Sequence, residues 1–238
     1  MTHGGSKLAI ITARGGSKRI PRKNVRAFMG RPMIAYAIAA AKGAGLFDEV
    51  MVSTDDAEIA EIAKANGAAV PFLRSAETAN DFATTNDVLK EVLDEYARRG
   101  HTFETFCCIY PCVPFLTGDL LKEAGETFLS SGADSLIPVV RYSYPIQRAL
   151  VRDAAGFISF REPANATKRS QDLEPTYHDA GQFYFCRTAA FLSGGSLLTA
   201  RTGMFELPEE RVQDIDTEVD WAMAEMKWRM MENEGTMD

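Results

Sequence analysis

Short, uninterrupted apolar runs alternate with longer amphipathic segments along most of this chain, and few folds accommodate that pattern. Residues 8–11 (Leu-Ala-Ile-Ile), 50–54, 106–110 and 134–140 read as strands buried on both faces, as in the interior of a parallel sheet. Between them, residues 32–42 are helical, with Pro32 near the helix start and Gly43 and Gly45 ending it. Asp55-Asp56-Ala57-Glu58 reads as a capping box that opens a helix running to residue 65, stopped by Asn66-Gly67. Thr84-Thr85-Asn86-Asp87 caps another, whose Val88, Leu89, Val92, Leu93 and Tyr96 recur on one face. Further helices are expected over 120–131 and from the Thr217-Glu218-Val219-Asp220 cap to about residue 231. Residues 70–73 predict a short edge strand because of Pro71, residues 183–186 a core strand, and residues 212–215 a last strand. Such alternation predicts an α/β fold with a doubly wound, mostly parallel sheet.

The period changes over 141–177. Only two short strand candidates (149–152 and 157–160) stand among polar loops there, which predicts a small inserted β-rich lobe. The domain organisation expected is a core of residues 1–140 plus 178–238, with the lobe at 141–177.

Composition then narrows the partners. The 238 residues carry 26 Lys and Arg against 33 Asp and Glu, a net charge of −7, so a general nucleic-acid or anionic-membrane binder is excluded. No apolar run approaches the roughly 18–20 residues that span a bilayer, and the first residues lack a signal-peptide apolar region. Cys107, Cys108, Cys112 and Cys186 have no zinc spacing and read as buried thiols, with Cys107 and Cys108 on opposite strand faces. A cytoplasmic protein is expected, and the stretch before residue 8 reads as a floppy leader. His3 and His101 look incidental.

Against this acidic background one basic cluster stands out. Ala13-Arg14-Gly15-Gly16-Ser17-Lys18-Arg19-Ile20-Pro21-Arg22-Lys23-Asn24 directly follows the first strand, where open α/β sheets bind ligands. Its two glycines let backbone amides approach an anion, and Arg14, Lys18, Arg19, Arg22 and Lys23 supply charge enough for a triphosphate. It is neither a Walker A loop nor a Rossmann fingerprint; the alternative is a solvated basic loop. Asp214-Ile215-Asp216, at the end of the expected last strand, places two carboxylates on one face, which suits Mg²⁺. The alternative is a helix-entry device, since Asp216 precedes Thr217. Tyr177-His178-Asp179-Ala180-Gly181-Gln182 is a third polar cluster, of a kind that either lines a pocket or is structural. No nucleophile elbow is present.

Arg14-Gly15-Gly16-Ser17-Lys18 with Pro21-Arg22-Lys23-Asn24 resembles the signature of the acylneuraminate (CMP-nonulosonate) cytidylyltransferases, and Asp214 to Asp220 is similar to that family's metal motif. The resemblance runs over roughly residues 8–221. Tyr142-Ser143-Tyr144-Pro145-Ile146-Gln147-Arg148, and Arg169 to Pro175 with His178 to Tyr184, resemble the pseudaminic acid branch. The resemblance implies a Rossmann-like nucleotidyltransferase core and transfer of CMP from CTP to the anomeric hydroxyl of a nine-carbon α-keto acid sugar, with pyrophosphate released. It implies Arg14 and Lys23 as catalytic cations, and Ser17, Asn24, Asp81, Thr84 and Thr85 as nucleotide contacts beside Ala13, Gly15, Gly16 and Lys18. Asp214 and Asp216 are the implied Mg²⁺ ligands. It also implies a homodimer in which one subunit's lobe reaches the partner's active site, and a role in bacterial surface glycosylation such as that of flagellin.

Two departures bear on the sugar. The sialic acid members' Gln-Pro-Thr-Ser-Pro loop is here Tyr110-Pro111-Cys112-Val113-Pro114, and the lysine expected near the sugar carboxylate falls at Gln147, beside Arg148. Both shift the expectation from sialic acid to pseudaminic acid, with another nonulosonic acid, sialic or legionaminic, as the alternative. Sugar contacts are expected from Gln147, Arg148, Arg169, His178 and Gln182. A carboxylate-binding pocket favours the fork of an arginine. A non-catalytic nucleotide sensor would not require the paired aspartates, and a nicotinamide-dependent oxidoreductase would require a Gly-x-Gly fingerprint that Gly15-Gly16 does not supply.

Overall fold

A computed structural model describes residues 5–235. Residues 1–4, His3 and Gly4 among them, lie outside the described residues. Of the rest of the expected leader, Ser6 donates to the Thr102 carbonyl at 2.8 Å and Lys7 is the first residue of β1, so this stretch is tied to the sheet rather than floppy. The sheet has seven strands: β1 (Lys7–Thr12), β4 (Glu49–Ser53), β5 (Thr105–Ile109), β6 (Ser135–Arg141), β9 (Tyr177–Asp179), β10 (Phe183–Arg187) and β11 (Thr202–Glu206), in the order β11-β6-β10-β5-β1-β4 with β9 beside β6. The β4, β1 and β5 strands are parallel neighbours, as are β6 and β11; β10 runs against both β5 and β6. That reversal follows from the connectivity. The chain leaves the sheet at Arg141 and returns at Tyr177, pairing β9 antiparallel with β6 before turning into β10.

Alternation along the strands sends successive side chains to opposite faces. Ala9, Ile11 and Cys107 pack on one face with α1 (Met33–Gly43), α2 (Ala57–Ala65) and α4 (Gly118–Ser131). Leu8, Ile10 and Cys108 pack on the other with α3 (Thr85–Arg98) and α5 (Thr188–Gly194). The sheet is thus doubly wound. All four cysteines are free thiols, and burial pushes Cys108 and Cys112 up to about 12. A third cluster gathers Ile20, Phe28, Tyr36 and Ile215 around Trp221 and Trp228 of α6 (Glu218–Asn233). Two short strands, β2 (Ala27–Phe28) and β3 (Arg31–Pro32), form a hairpin that leads into α1.

Three local expectations are corrected. Residues 70–73 form no strand: only Ala69 makes an isolated bridge, to Met51, and Pro71 removes a donor just beyond it. The cap of α2 is Asp56 rather than Asp55, accepting from the Ile59 N–H, while Glu58 pairs with Arg22. Residues 212–215 belong to no strand among the described residues, and the last strand is instead β11, at the sheet edge. The expected caps at Thr84 and Thr217 form as capping boxes with Asp87 and Asp220. Within 141–177 the structure holds a hairpin of β7 (Leu150–Arg152) and β8 (Ile158–Phe160) and three 3-10 turns. No helix among the described residues is long and apolar enough to cross a membrane.

Candidate functional site

The basic loop begins where β1 ends. Ala13 is fully buried and its N–H bonds the Ser53 carbonyl at 3.0 Å, so the chain leaves the sheet against β4. The Gly15 N–H bonds the Asp55 carboxylate at 2.9 Å, and a Cβ on Gly15 would lie 2.8 Å from Asp56 Oδ2; only glycine fits that approach. Gly16 faces open space. Asn24 is buried and donates to the Arg14 carbonyl at 2.9 Å, tying the loop's ends together, while the Cys112 thiol donates to the Asn24 amide oxygen at 3.3 Å.

Arg22 departs from the expectation. It stands at φ 57°, and its guanidinium grips both oxygens of Asp56 and reaches Glu58, holding the Asp56 carboxyl down at about 2. It braces the loop against the start of α2 and does not line the cavity beside it.

That cavity, of about 520 Å³, takes Arg14, Ser17, Lys18, Lys23 and Asn24 from the loop, Asp81, Thr84 and Thr85 from the approach to α3, and Asp216 from the far end of the chain. Five cations (Arg14, Lys18, Arg19, Lys23, Arg74) and two carboxylates (Asp81, Asp216) line it, so the pocket is locally cationic in a chain of net charge −7. Asp81 accepts from Arg14 at 2.9 Å and from Lys18, which keeps its carboxyl below the usual range. Asp216 pairs with Arg19 at 2.7 Å and lies 3.6 Å from Lys23. A polyanion entering here would compete with two internal carboxylates for cations already gathered.

Sequence reasoning missed Arg74. This arginine, only 9% exposed, bonds the Ser53 hydroxyl at 3.1 Å and carbonyl at 2.7 Å, and burial lowers its pKa. A single basic residue in an aperiodic polar stretch carries no local signal of burial.

Asp214 and Asp216 flank Ile215, whose side chain is buried with Ile20 and Trp221. Burial first, and the neighbouring Asp216 second, push the Asp214 carboxyl up, with Lys23 opposing. Two oxygen donors in mutual repulsion suit a hard divalent cation. Asp216 lines the cavity and Asp214 does not.

The expected sugar contacts lie elsewhere. None of Gln147, Arg148, Arg169, His178 or Gln182 lines this cavity. Gln147 donates to the Glu174 carbonyl at 2.9 Å, and Arg148 is exposed. Arg169 chelates Asp172 at 2.9 and 3.3 Å. His178 lies on β9 with its ring 5.0 Å from that of Tyr142. Gln182 is buried, its amide donates to the Arg211 carbonyl at 2.7 Å, and its Oε1 is enclosed without a partner. Two residues outside the expectations link the cavity to β9. Tyr110 lines it, with its ring 5.4 Å from that of Tyr184, whose hydroxyl donates to the Asp179 carboxylate at 2.9 Å.

Known proteins resemble this chain in sequence and in fold. The chain is 38% identical over 223 residues to a pseudaminic acid cytidylyltransferase of Campylobacter jejuni, covering 94% of this chain and 96% of that one. It is 32% identical to a CMP-N,N'-diacetyllegionaminic acid synthase of Legionella pneumophila, covering 92% and 94%. Among solved structures, a CMP:2-keto-3-deoxy-manno-octonic acid synthetase complexed with CTP superposes with a TM-score of 0.67 over 96% of this chain and 99% of that one; at 17% identity the likeness is one of fold. A protein-family model described as cytidylyltransferase matches residues 8–219, from the first residues of β1 to the first turn of α6, and the chain belongs to that family.

Proposed function

We propose that this cytidylyltransferase transfers CMP from CTP to the anomeric hydroxyl of pseudaminic acid, giving CMP-pseudaminic acid and pyrophosphate. The observation that carries the reading is the cationic cavity at the end of β1, in a chain whose similarity to a pseudaminic acid cytidylyltransferase covers nearly its whole length. The sugar oxygen attacks the α-phosphorus as the bond to the bridging oxygen of pyrophosphate breaks, and the hydroxyl proton passes to solvent. No covalent enzyme intermediate is needed, so catalysis is positioning and charge neutralisation.

In this reading Arg14 and Lys18 exchange Asp81 for the phosphate oxygens, and Lys23 stabilises charge developing on the reacting phosphates. Ser17, Asn24, Thr84 and Thr85 supply hydrogen bonds to the nucleotide, and Ala13, Gly15 and Gly16 set the backbone against it. Arg74 offers a guanidinium already held in place at the cavity wall. Asp214 and Asp216 would hold Mg²⁺, which when bound acts as a Lewis acid on the phosphates.

The sugar carboxylate would be met by Arg148 and Arg169, with Gln147 and His178 nearby, and these residues would reach a cavity across a homodimer. Exposed Tyr144 (86%), Phe157 (73%) and Ile158 (67%) in the 141–177 lobe support burial of that surface against a second copy. The reaction would proceed in the cytoplasm, where CTP is available. Pyrophosphate release with CTP and a panel of nonulosonic acids tests the reading. Pseudaminic acid should give the highest kcat/KM, and a clear preference for legionaminic or sialic acid would overturn the sugar assignment.

A further inference from the structure

The segment carrying Asp214 and Asp216 was expected to hang in the sheet, and it does not. Among the described residues no strand pairs with 212–216, yet two carboxylates must be presented there at fixed positions. Carbonyls in it and just before it are taken instead by side chains from three separate parts of the fold, and the Asp214 carbonyl by the adjacent Gln213 side chain at 3.1 Å. Gln182, just before β10, donates to the Arg211 carbonyl at 2.7 Å. Lys227, from the middle of α6, reaches back to the Val212 carbonyl at 2.7 Å and the Glu209 carbonyl at 3.3 Å. Lys23, from the basic loop, donates to the Ile215 carbonyl. Ile215 itself anchors the segment in the aromatic cluster around Trp221 and Trp228.

We propose that Gln182 and Lys227 are positioning residues that take the place of a strand ladder, holding residues 211–212 so that Asp214 and Asp216 are presented together to a divalent cation. The proposal rests on the reading of these aspartates as metal ligands. Backbone carbonyls enclosed by protein need partners, and a charged donor makes the stronger bond. A ladder would supply such bonds from a neighbouring backbone, whereas here the Arg211, Val212 and Ile215 carbonyls each take theirs from one replaceable side chain. Gln182 is itself held firmly, because its own carbonyl accepts the Tyr110 N–H at 2.8 Å and so fixes its backbone to the end of β5. Lys227 immediately precedes the buried Trp228, which fixes the root of its side chain. Neither residue lines the nucleotide cavity.

The test is direct Mn²⁺ binding to the full-length protein with CTP present, read by electron paramagnetic resonance, beside steady-state kinetics at saturating metal. Lys227→Met keeps the aliphatic stem and removes the donor; it should weaken Mn²⁺ binding by about 10-fold or more, in the range found for groups that orient metal ligands. The KM for CTP should stay within about twofold of wild type, because CTP affinity rests on other residues. Lys227→Arg restores donors and should recover most of the affinity, and Gln182→Met should weaken Mn²⁺ in the same direction. If Lys227→Met does not fold, Gln182→Met decides by the same readout. Unchanged Mn²⁺ affinity in the folded variants, or a loss shared equally by the KM for CTP, overturns the proposal. Asp216→Asn is the control: if it leaves Mn²⁺ affinity unchanged, the reading of the aspartates as ligands fails first.

Discussion

The Lys23 ammonium donates to the carbonyl oxygen of Ile215, a residue 192 positions further along the chain. The same ammonium lies 3.6 Å from Asp216, so one side chain joins the basic loop to the aspartate segment by a hydrogen bond and by charge. Burial of Ile20 and Ile215 in one cluster fastens the same two segments from beneath. Lys23→Ala should therefore lower kcat/KM by about 100-fold or more, the cost found for a lost preorganised charge donor. Pyrophosphate release at saturating CTP measures it, and a loss under about threefold would remove Lys23 from the chemistry.

The two aspartates differ in setting, since Asp216 lines the cavity and Asp214 is the carboxyl pushed up by burial and by its neighbour. Asp216→Asn should abolish most activity at low Mg²⁺, with Asp214→Asn similar or milder. A Mg²⁺ titration of both variants checks this. Wild-type rates at every concentration would leave the pair as a device for entering α6.

Asp56 carries the clearest pH signature. The hydrogen bond from Arg22 holds its carboxyl at about 2 in the folded chain, against 3.8 for the free group. As pH falls the unfolded chain takes up this proton first, so the stabilisation is in place above about 4 and is lost as pH drops towards 2. Asparagine still caps α2 and removes only the charge. Urea midpoints at pH 5 and pH 3 should show wild type exceeding Asp56→Asn by more at pH 5 than at pH 3. Equal differences at the two pH values would contradict the assignment.

Arg148→Ala and Arg169→Ala should raise the KM for the sugar far more than the KM for CTP, because a carboxylate prefers a guanidinium fork. Arg169 must exchange Asp172 for the sugar. Steady-state kinetics with light scattering on the same samples separates the possibilities: equal losses for both substrates, or dissociation of a dimer, would make these arginines structural.

Arg74→Met should raise the KM for CTP about tenfold or more, since it removes a buried, prefixed cation from the cavity wall. Isothermal titration with CTP gives the affinity without turnover, and an unchanged Kd would confine Arg74 to bracing Ser53.

Periodicity makes the doubly wound core legible in the sequence. Strand interiors must be apolar on both faces, and helices must show one apolar stripe, so β1, β4, β5, α3 and α4 are readable from spacing alone. The caps at Thr84 and Thr217 are equally local, because a side chain there bonds a backbone three residues away. The basic loop is readable too, since its charges are contiguous. What spacing does not contain is the partner. Residues 212–215 have the composition of a strand, but a strand exists only where a neighbour completes its ladder, and here side chains from Gln182, Lys227 and Lys23 take the carbonyls of Arg211, Val212 and Ile215 instead. The β11 strand escapes a reading of the sequence for the converse reason: it lies on the sheet edge, largely uncovered, and owes its state to β6. Arg74 and Tyr184 acquire their surroundings only through packing between segments far apart in the chain, on Ser53 and on Tyr110. Local chemistry is written in the order of residues; burial and pairing across the chain are decided by the fold, because both depend on which distant groups exclude water together.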